Sequence, residues 1–330
     1  MAKRTYTYDG SEWVGLTSTT ADLSNYANMT TTPISGFRNA IINGGFDIWQ
    51  RGTSFTANNI YTADRWWHVN DSVGATSVDR FAADSSLIPG CEYFLRMVRT
   101  SGTNRWVIGT NLETSTVKKF KGKTVILSYW LRKGSSLTAD TSVALKTTSA
   151  EARFNSTVDS STATITAAQL STSTFTRFTQ ILTIPSNSTA LGLAVEFEAK
   201  SQVGSSNAFL DIAMVQLEEG TIATPFEQRP IGIELALCQR YYQAGATISS
   251  GYSFYNPIGD PGLRGTHITL PFKVTMRSSP TILVTAVSQD NFVLGSSWAN
   301  GDFINAYVRA NNTNFPYGTG YITYTAASEL

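Results

Sequence analysis

From residue 124 to 133 the chain alternates: Val125, Leu127, Tyr129 and Leu131 fall on one side, Ser128, Trp130 and Arg132 on the other. The period of two returns at Leu191, Leu193, Val195 and Phe197, set against Gly192, Ala194, Glu196 and Glu198. FTRFTQILTIP and AFLDIAMVQLEE behave similarly. Two is the side-chain period of a strand, and alternation puts one face in a core. Gly, Ser and Asn clusters separate these runs and no helical pattern intervenes, so residues 38–228 are predicted to form a β-sandwich.

Residues 243–330 are again β-rich. THITLPFKVTM places Ile268, Leu270, Phe272, Val274 and Met276 on one face, and PTILVTAVS, DFINAYVRA and GYITYTAAS supply three more runs. Pro271 has no N–H to donate, so its strand is expected at a sheet edge or bulge. At the other end, TYTYDGSEWVGL has a Tyr8–Asp9–Gly10 turn signal and reads as a small hairpin. The Thr-rich stretch that follows is too polar to bury much surface alone.

Between the two β regions lies Leu217–Gln243, LEEGTIATPFEQRPIGIELALCQRYYQ. Pro225 and Pro230 favour extended backbone just before them. Ile231–Tyr242 then follows helical spacing. Ile231, Leu235, Cys238 and Tyr242 make one stripe, and Ile233, Leu237 and Tyr241 a second. Two stripes need two covering surfaces, the second being the neighbouring domain or another copy of the chain. The expected organisation is all-β: an N-terminal arm (1–37), a sandwich (38–228), a linker helix (229–245) and a small C-terminal β-sandwich (246–330).

Charged residues make up 15% of the 330 and the net charge is +1. That offers no electrostatic basis for binding nucleic acid or an anionic membrane. No apolar run of membrane-spanning length exists, and MAKRTYTYDG lacks the apolar core of a secretory signal, so neither membrane insertion nor export is expected. Cys91 and Cys238, in different predicted domains, are read as two thiols rather than a disulfide.

No nucleophile elbow, phosphate-binding loop, dinucleotide fingerprint or zinc motif is present, and the protein is read as non-enzymatic, with no cofactor. His68 and His267, the only histidines, are assigned structural roles. Glu196 and Glu198 share a strand face roughly 7 Å apart, within the separation of an inverting glycosidase pair, but such a pair is more often a solvent face. Sugars stack their C–H faces on aromatic rings. Trp66, Trp67, Trp106 and Trp130 are therefore candidates in the first sandwich, with Trp130 beside Ser128 and Arg132 as a groove wall. Because Trp66 and Trp67 are adjacent, only one is expected to point inward. Distal loops carry Tyr252, Phe254, Tyr255, Trp298, Phe303, Phe315 and Tyr317 among Asn, Ser and Gly, a composition suited to recognition.

Three stretches carry a resemblance. Val215–Tyr242 (VQLEEGTIATPFEQRPIGIELALCQRYY), Asn39–Phe55 (NAIINGGFDIWQRGTSF) followed by Tyr61–Trp67 (YTADRWW), and Ile322–Leu330 (ITYTAASEL) resemble segments of bacteriophage tail-fibre and related virion-appendage proteins with a carbohydrate-binding-module-like jelly roll. The resemblance implies a homotrimer in the virion, made in the host cytoplasm, that attaches to a host cell-surface glycan. It makes Ile233, Leu237 and Tyr241 candidates for the oligomer interface. The arm would dock on phage tail or capsid proteins through Tyr6, Tyr8, Trp13 and Leu16. NGGFDIW and FLDIAMVQLEE would be the paired first and last strands of the jelly roll, with a structural calcium at Asp47 and Asp211. A head fibre or capsid decoration protein uses the same modules, and a polysaccharide depolymerase is a further alternative.

Overall fold

The computed structural model describes residues 6–8, 13–15, 37–70, 76–84, 86–101, 106–151, 156–199, 208–246, 265–290, 292–310 and 319–329. It divides into two compact units, 1–38 and 39–330. In the first, β1 (Tyr6–Tyr8) and β2 (Trp13–Gly15) pair antiparallel, Tyr8 opposite Trp13, which is the hairpin that the Asp9–Gly10 signal predicts.

The second unit begins with a jelly-roll sandwich. Its strands are β3 (Ser54–Phe55), β4 (Ile60–Tyr61), β5 (Trp67–Asn70), β6 (Thr76–Ala82), β7 (Tyr93–Arg99) and β8 (Trp106–Leu112). After helix α1 (Thr114–Phe120) come β9 (Thr124–Lys133), β10 (Thr141–Thr148), β11 (Thr157–Ile165), β12 (Thr176–Thr183), β13 (Gly192–Ala199) and β14 (Phe209–Glu219). They form two six-stranded antiparallel sheets, ordered β11-β10-β13-β8-β5-β4 and β12-β9-β14-β7-β6-β3. Val125, Leu127, Tyr129 and Leu131 of β9 and Leu193, Val195 and Phe197 of β13 are fully buried between the sheets, as the alternation requires. Helix α1 was not legible: TSTVKKF has one apolar pair, Val117 and Phe120, too little to show a period, and both pack into the core.

The opening segment departs from the expected strand pairing. Residues 41–45 form turns, although Ala40 N–H donates to the Leu217 carbonyl (2.8 Å) and Val215 N–H to the Gly44 carbonyl (2.9 Å). The segment therefore lies along β14 without joining its ladder. At that place β14 itself bulges between Ala213 and Gln216, with Met214 at φ +47°.

Helix α2 spans Ile231–Gln239. It ends sooner than its stripes suggest, because Tyr242 already belongs to β15 (Tyr242–Ala246), the first strand of the distal sandwich. The rest are β16 (Gly265–Pro271), β17 (Thr281–Asp290), β18 (Phe292–Ala299), β19 (Phe303–Ala310) and β20 (Thr319–Ala327). Two three-stranded sheets, β15-β20-β17 and β16-β19-β18, enclose a small core of Ile268, Ile304, Ala306, Val308, Ile322 and their neighbours. β16, which ends at Pro271, is an edge strand. Burial along α2 follows position rather than stripe. Ile231 and Ile233 near its start are 59% and 41% exposed, whereas Cys238 near its end is fully buried.

Candidate functional site

The stretches that carry the resemblance meet at the junction between jelly roll and distal sandwich. Arg65, of the YTADRWW stretch, is buried at φ +73°. Its guanidinium lies 3.6 Å from the centre of the Tyr241 ring, donates to the Asn111 carbonyl (2.6 Å) and pairs with Glu329. Arg51, of the QRGTSF stretch, lies 3.7 Å from the centre of the Tyr242 ring and reaches Glu329 at 2.9 Å. Gln50 donates to the Tyr242 carbonyl (2.9 Å), and Ser328 N–H donates to that of Tyr241 (2.8 Å). On the other side Tyr241 donates its hydroxyl to Glu113 (2.6 Å), which also takes Arg240 at 3.2 Å. Arg240 and Arg277 lie on the distal side and Glu113 and Glu151 on the jelly roll, and Arg277 pairs with Glu151. Desolvation acts to raise the Glu113 carboxyl, but the Tyr241 hydroxyl and the nearby Arg240 and Arg277 hold it below its ordinary value. These motifs fix one domain against the other. Tyr241 is 3% exposed and fully engaged within the chain, so it leaves the set of oligomer-interface candidates, while Ile233 remains open and Leu237 is half-buried.

Beside this junction, the opening turn, the 226–231 segment and the start of α2 line a cleft of about 300 Å³. Arg229 ties it together, donating to the Ile41 and Asn39 carbonyls and pairing with Glu234 at 2.9 Å. Asp47 faces the cleft. Burial first, then the charges of Glu92 and Glu234, push its carboxyl up to about 6, with Arg80 opposing. In the unfolded chain the same group titrates near 3.8. Between these values the folded state binds the proton more tightly, so this contribution to stability is full below about pH 4 and is lost as pH rises through 6. Partial exposure screens the effect. Asp47→Asn is expected to raise the melting temperature at pH 7 and leave it unchanged near pH 4. Identical melting of variant and parent at pH 7 would show that the ionised carboxylate carries no penalty.

Asp47 and Asp211 do not form a calcium pair. Asp211 is fully buried and bridges Arg96 (2.6 Å) and Arg132 (2.7 Å), so two guanidiniums already neutralise it and would repel a cation. Among the described residues no group of three or more His, Cys, Asp or Glu is arranged to hold a metal. Glu196 of the Glu196/Glu198 pair is engaged by Lys146 at 2.9 Å. His68 is buried, donating from Nδ1 to the Val107 carbonyl (3.1 Å) and accepting at Nε2 from Thr76 (3.2 Å). Burial pulls its pKa down to about 4, so it stays neutral as a packing residue. Cys91 and Cys238 are free thiols.

Burial also sorts the tryptophans. Trp66, Trp67 and Trp106 are fully buried. Trp66 enters the sandwich core, while Trp67, opposite Gly109, lies on the other face of its sheet, as their adjacency predicts; both are nonetheless buried, the Trp66 indole N–H donating to the Asn43 carbonyl (3.0 Å) and that of Trp67 to the Asn111 side chain (2.7 Å). Trp130 packs against a satellite cluster of Ile88, Phe94, Phe175, Ala213 and Met214 and is no open groove wall. Among the described side chains Trp298 alone of the tryptophans is open, at 52%.

Trp298 stands at the end of β18, on a strand rather than in a loop. The Asn300 side chain caps the turn to β19, accepting from Asp302 N–H (2.8 Å) and Phe303 N–H (3.0 Å). Ile304, Ala306 and Val308 of β19 face the core, so Phe303, Asn305, Tyr307 and Arg309 face outward. Register places Trp298 and Thr269 on either side of Asn305, and Ser296 and His267 on either side of Tyr307. Phe303 meets Trp298 edge-on, ring centres 5.4 Å apart. His267 Nδ1 donates to the Asn305 side-chain oxygen Oδ1 (2.7 Å), and the Asn305 side-chain NH2 donates to the Thr269 hydroxyl (3.2 Å). The Tyr307 ring lies across the sheet between two glycines. A Cβ on Gly295 would sit 2.5 Å from one ring edge and a Cβ on Gly265 2.8 Å from the other. Aromatic surface beside a hydrogen-bonded polar row is the composition a sugar face requires. Alternation makes these residues readable as one face once the strand is known. What hid them is that SSWANGDFIN reads as a loop. Tyr252, Phe254, Tyr255, Phe315, Tyr317 and Leu16 lie outside the described residues, and of Tyr6, Tyr8 and Trp13 only the backbone is described.

No family model matches the chain, and no curated protein matches it in sequence. Solved structures similar to it include the enzymatically active domain of bacteriophage CBA120 tailspike protein 4, at 14% identity and TM-score 0.37, over 56% of this chain and 22% of that one. A CBM4 structure matches at 14% identity and TM-score 0.35, over 54% of this chain and 98% of that one. A cyclase from Fischerella sp. TAU matches at 13% identity and TM-score 0.39, over 56% and 99%. At identities and TM-scores this low, none of them assigns a ligand or a reaction to this chain.

Proposed function

We propose that this chain is a non-enzymatic virion-appendage protein, a tail fibre that attaches to a host surface glycan through the outer face of β16-β19-β18. The observation that carries the reading is the half-exposed Trp298, set beside Phe303 and the His267–Asn305–Thr269 row when the described jelly-roll tryptophans are packed away. A large exposed aromatic costs hydration unless something covers it, and recognition surfaces are where such residues concentrate. The rigid junction supports this role, since it holds the distal face at a fixed orientation on the jelly roll. The arm hairpin would attach the protein to the particle. The test is staining of host cells by labelled protein, with competition against phage adsorption. Absence of both effects would sink the attachment role.

The same reading includes a homotrimer, in which three weak faces act together. Its support is the exposed pair Ile231 and Ile233 at the start of α2. Ile233→Asp is expected to convert a trimer to a monomer in light scattering. A variant that stays trimeric would exclude α2 from the interface.

A further inference from the structure

Where the jelly roll meets the distal sandwich, a groove of about 570 Å³ opens away from the β16-β19-β18 face. Its jelly-roll wall includes Phe55, Asn59 and Tyr61, carried by β3, β4 and the turn between them. β3 and β4 are edge strands of the two different jelly-roll sheets, so this turn passes from one sheet to the other beside the groove. The distal wall is Thr281 and Ala327, which face each other in the β17–β20 ladder. In the same row Ala327 also pairs with Tyr242, whose ring Arg51 covers at 3.7 Å. Arg51 meets Glu329 (2.9 Å) and Asp64 (3.5 Å), and Glu329 also takes Arg65, so the ionised groups that line the groove are neutralised in place. Beside them stand uncharged groups: the half-buried rings of Phe55 and Tyr61 and the exposed side chains of Asn59 and Thr281. Neither the Asn59 amide nor the Thr281 hydroxyl makes a hydrogen bond among the described residues. One two-residue step from Thr281 along the outer face of β17 is Leu283, 66% exposed, which continues the distal wall as apolar surface.

We infer that this groove binds a short neutral oligosaccharide that bridges the two sandwiches, with sugar C–H faces against Tyr61 and Phe55 and hydroxyls hydrogen-bonded to Asn59 and Thr281. The inference goes beyond the reading of the β16-β19-β18 face and does not depend on it. Small-molecule sites span about 300–1,000 Å³ and favour the boundaries between domains, and the groove meets both conditions. Its chemistry selects the ligand class. A charged ligand finds Arg51 and Glu329 already paired, and a purely apolar one takes water from the Asn59 amide and the Thr281 hydroxyl without replacing it. A sugar offers apolar C–H faces and hydroxyls together, and it needs no charge. Asn59 is held at φ +57°, a conformation that Asn tolerates better than most residues. A ligand that touches both walls binds only the docked arrangement of the sandwiches, so it stabilises their junction by mass action.

The experiment is calorimetric titration of the full chain with neutral trisaccharides built from glucose, galactose, mannose or N-acetylglucosamine, and with their monosaccharides. It is repeated in Trp298→Ala, so that the β16-β19-β18 face contributes nothing. At least one trisaccharide is expected to bind roughly tenfold more tightly than its monosaccharide, because it adds hydrogen bonding at the second wall. It should keep that affinity in Trp298→Ala and raise the melting temperature. Asn59→Gly accepts the same backbone conformation without the amide, and it should weaken binding by about two- to tenfold, the range for one hydrogen bond between neutral groups. Thr281→Arg, at an exposed position on an edge strand, should abolish binding by filling the groove. Unliganded melting temperatures matching the parent separate loss of the site from loss of the fold. Unchanged affinity in both groove variants, no binding of any trisaccharide, or complete loss in Trp298→Ala overturns the groove site. The last of these leaves the β16-β19-β18 face as the glycan site, whereas groove binding without staining of host cells removes the attachment role and keeps the groove.

Discussion

Replacing Arg65 by Ala is expected to destabilise the 39–330 unit by about 3–5 kcal/mol, the range for breaking a buried ion pair by deleting one partner. The side chains of Arg65 and Glu329 are 2% and 8% exposed, so the pair is shielded from solvent. The substitution also removes the guanidinium from the Tyr241 ring and its hydrogen bond to the Asn111 carbonyl. Arg51 still reaches Glu329 at 2.9 Å, which places the effect toward the lower end. Urea unfolding at pH 7 measures it. Glu329→Ala should destabilise in the same direction, and the double variant should cost less than the sum of the two, because the residues share one interaction. Additive effects, or a loss below about 1 kcal/mol for Arg65→Ala, the level of an exposed pair, would show that the junction is not held by this cluster.

Trp298→Ala is expected to abolish most host-cell binding while leaving stability nearly unchanged. At the centre of a recognition face a tryptophan contributes about 2 kcal/mol or more, roughly thirtyfold per site, and engagement of several faces at once multiplies the loss. Stability should hold because the side chain is half in water and, among the described aromatics, packs against Phe303. Trp130→Ala is the contrasting variant. It should lower the melting temperature, since Trp130 belongs to the satellite cluster, without a specific loss of binding. Cell staining with thermal melts of both proteins reads the contrast. If Trp298→Ala stains cells like the parent, the outer face of β16-β19-β18 is not where the host is recognised.

Alternation determined the fold class from sequence alone. Val125 to Leu131 and Leu193 to Phe197 lie buried as their period demands, because in a sheet the face of a residue depends only on its parity. The edge position of β16 followed in the same local way from the missing N–H of Pro271. Trp298 and Phe303 were legible as candidates, but not as members of a strand face with His267, Asn305 and Tyr307, because partners on three strands are set by register. The burial of both Trp66 and Trp67 was also beyond parity: each indole finds its acceptor, the Asn43 carbonyl or the Asn111 side chain, only once distant segments meet. Tyr241 shows the same limit, since its stripe left open the neighbouring domain or another copy of the chain, and its tertiary partners Arg65 and Glu113 of the jelly roll decided for the domain. Asp211 likewise suited a cation by residue type, whereas the fold brought Arg96 and Arg132 to it from β7 and β9. Local periodicity decided which faces are apolar. Long-range contact decided which polar groups are already satisfied, and a group so engaged has no free energy left to gain from a ligand.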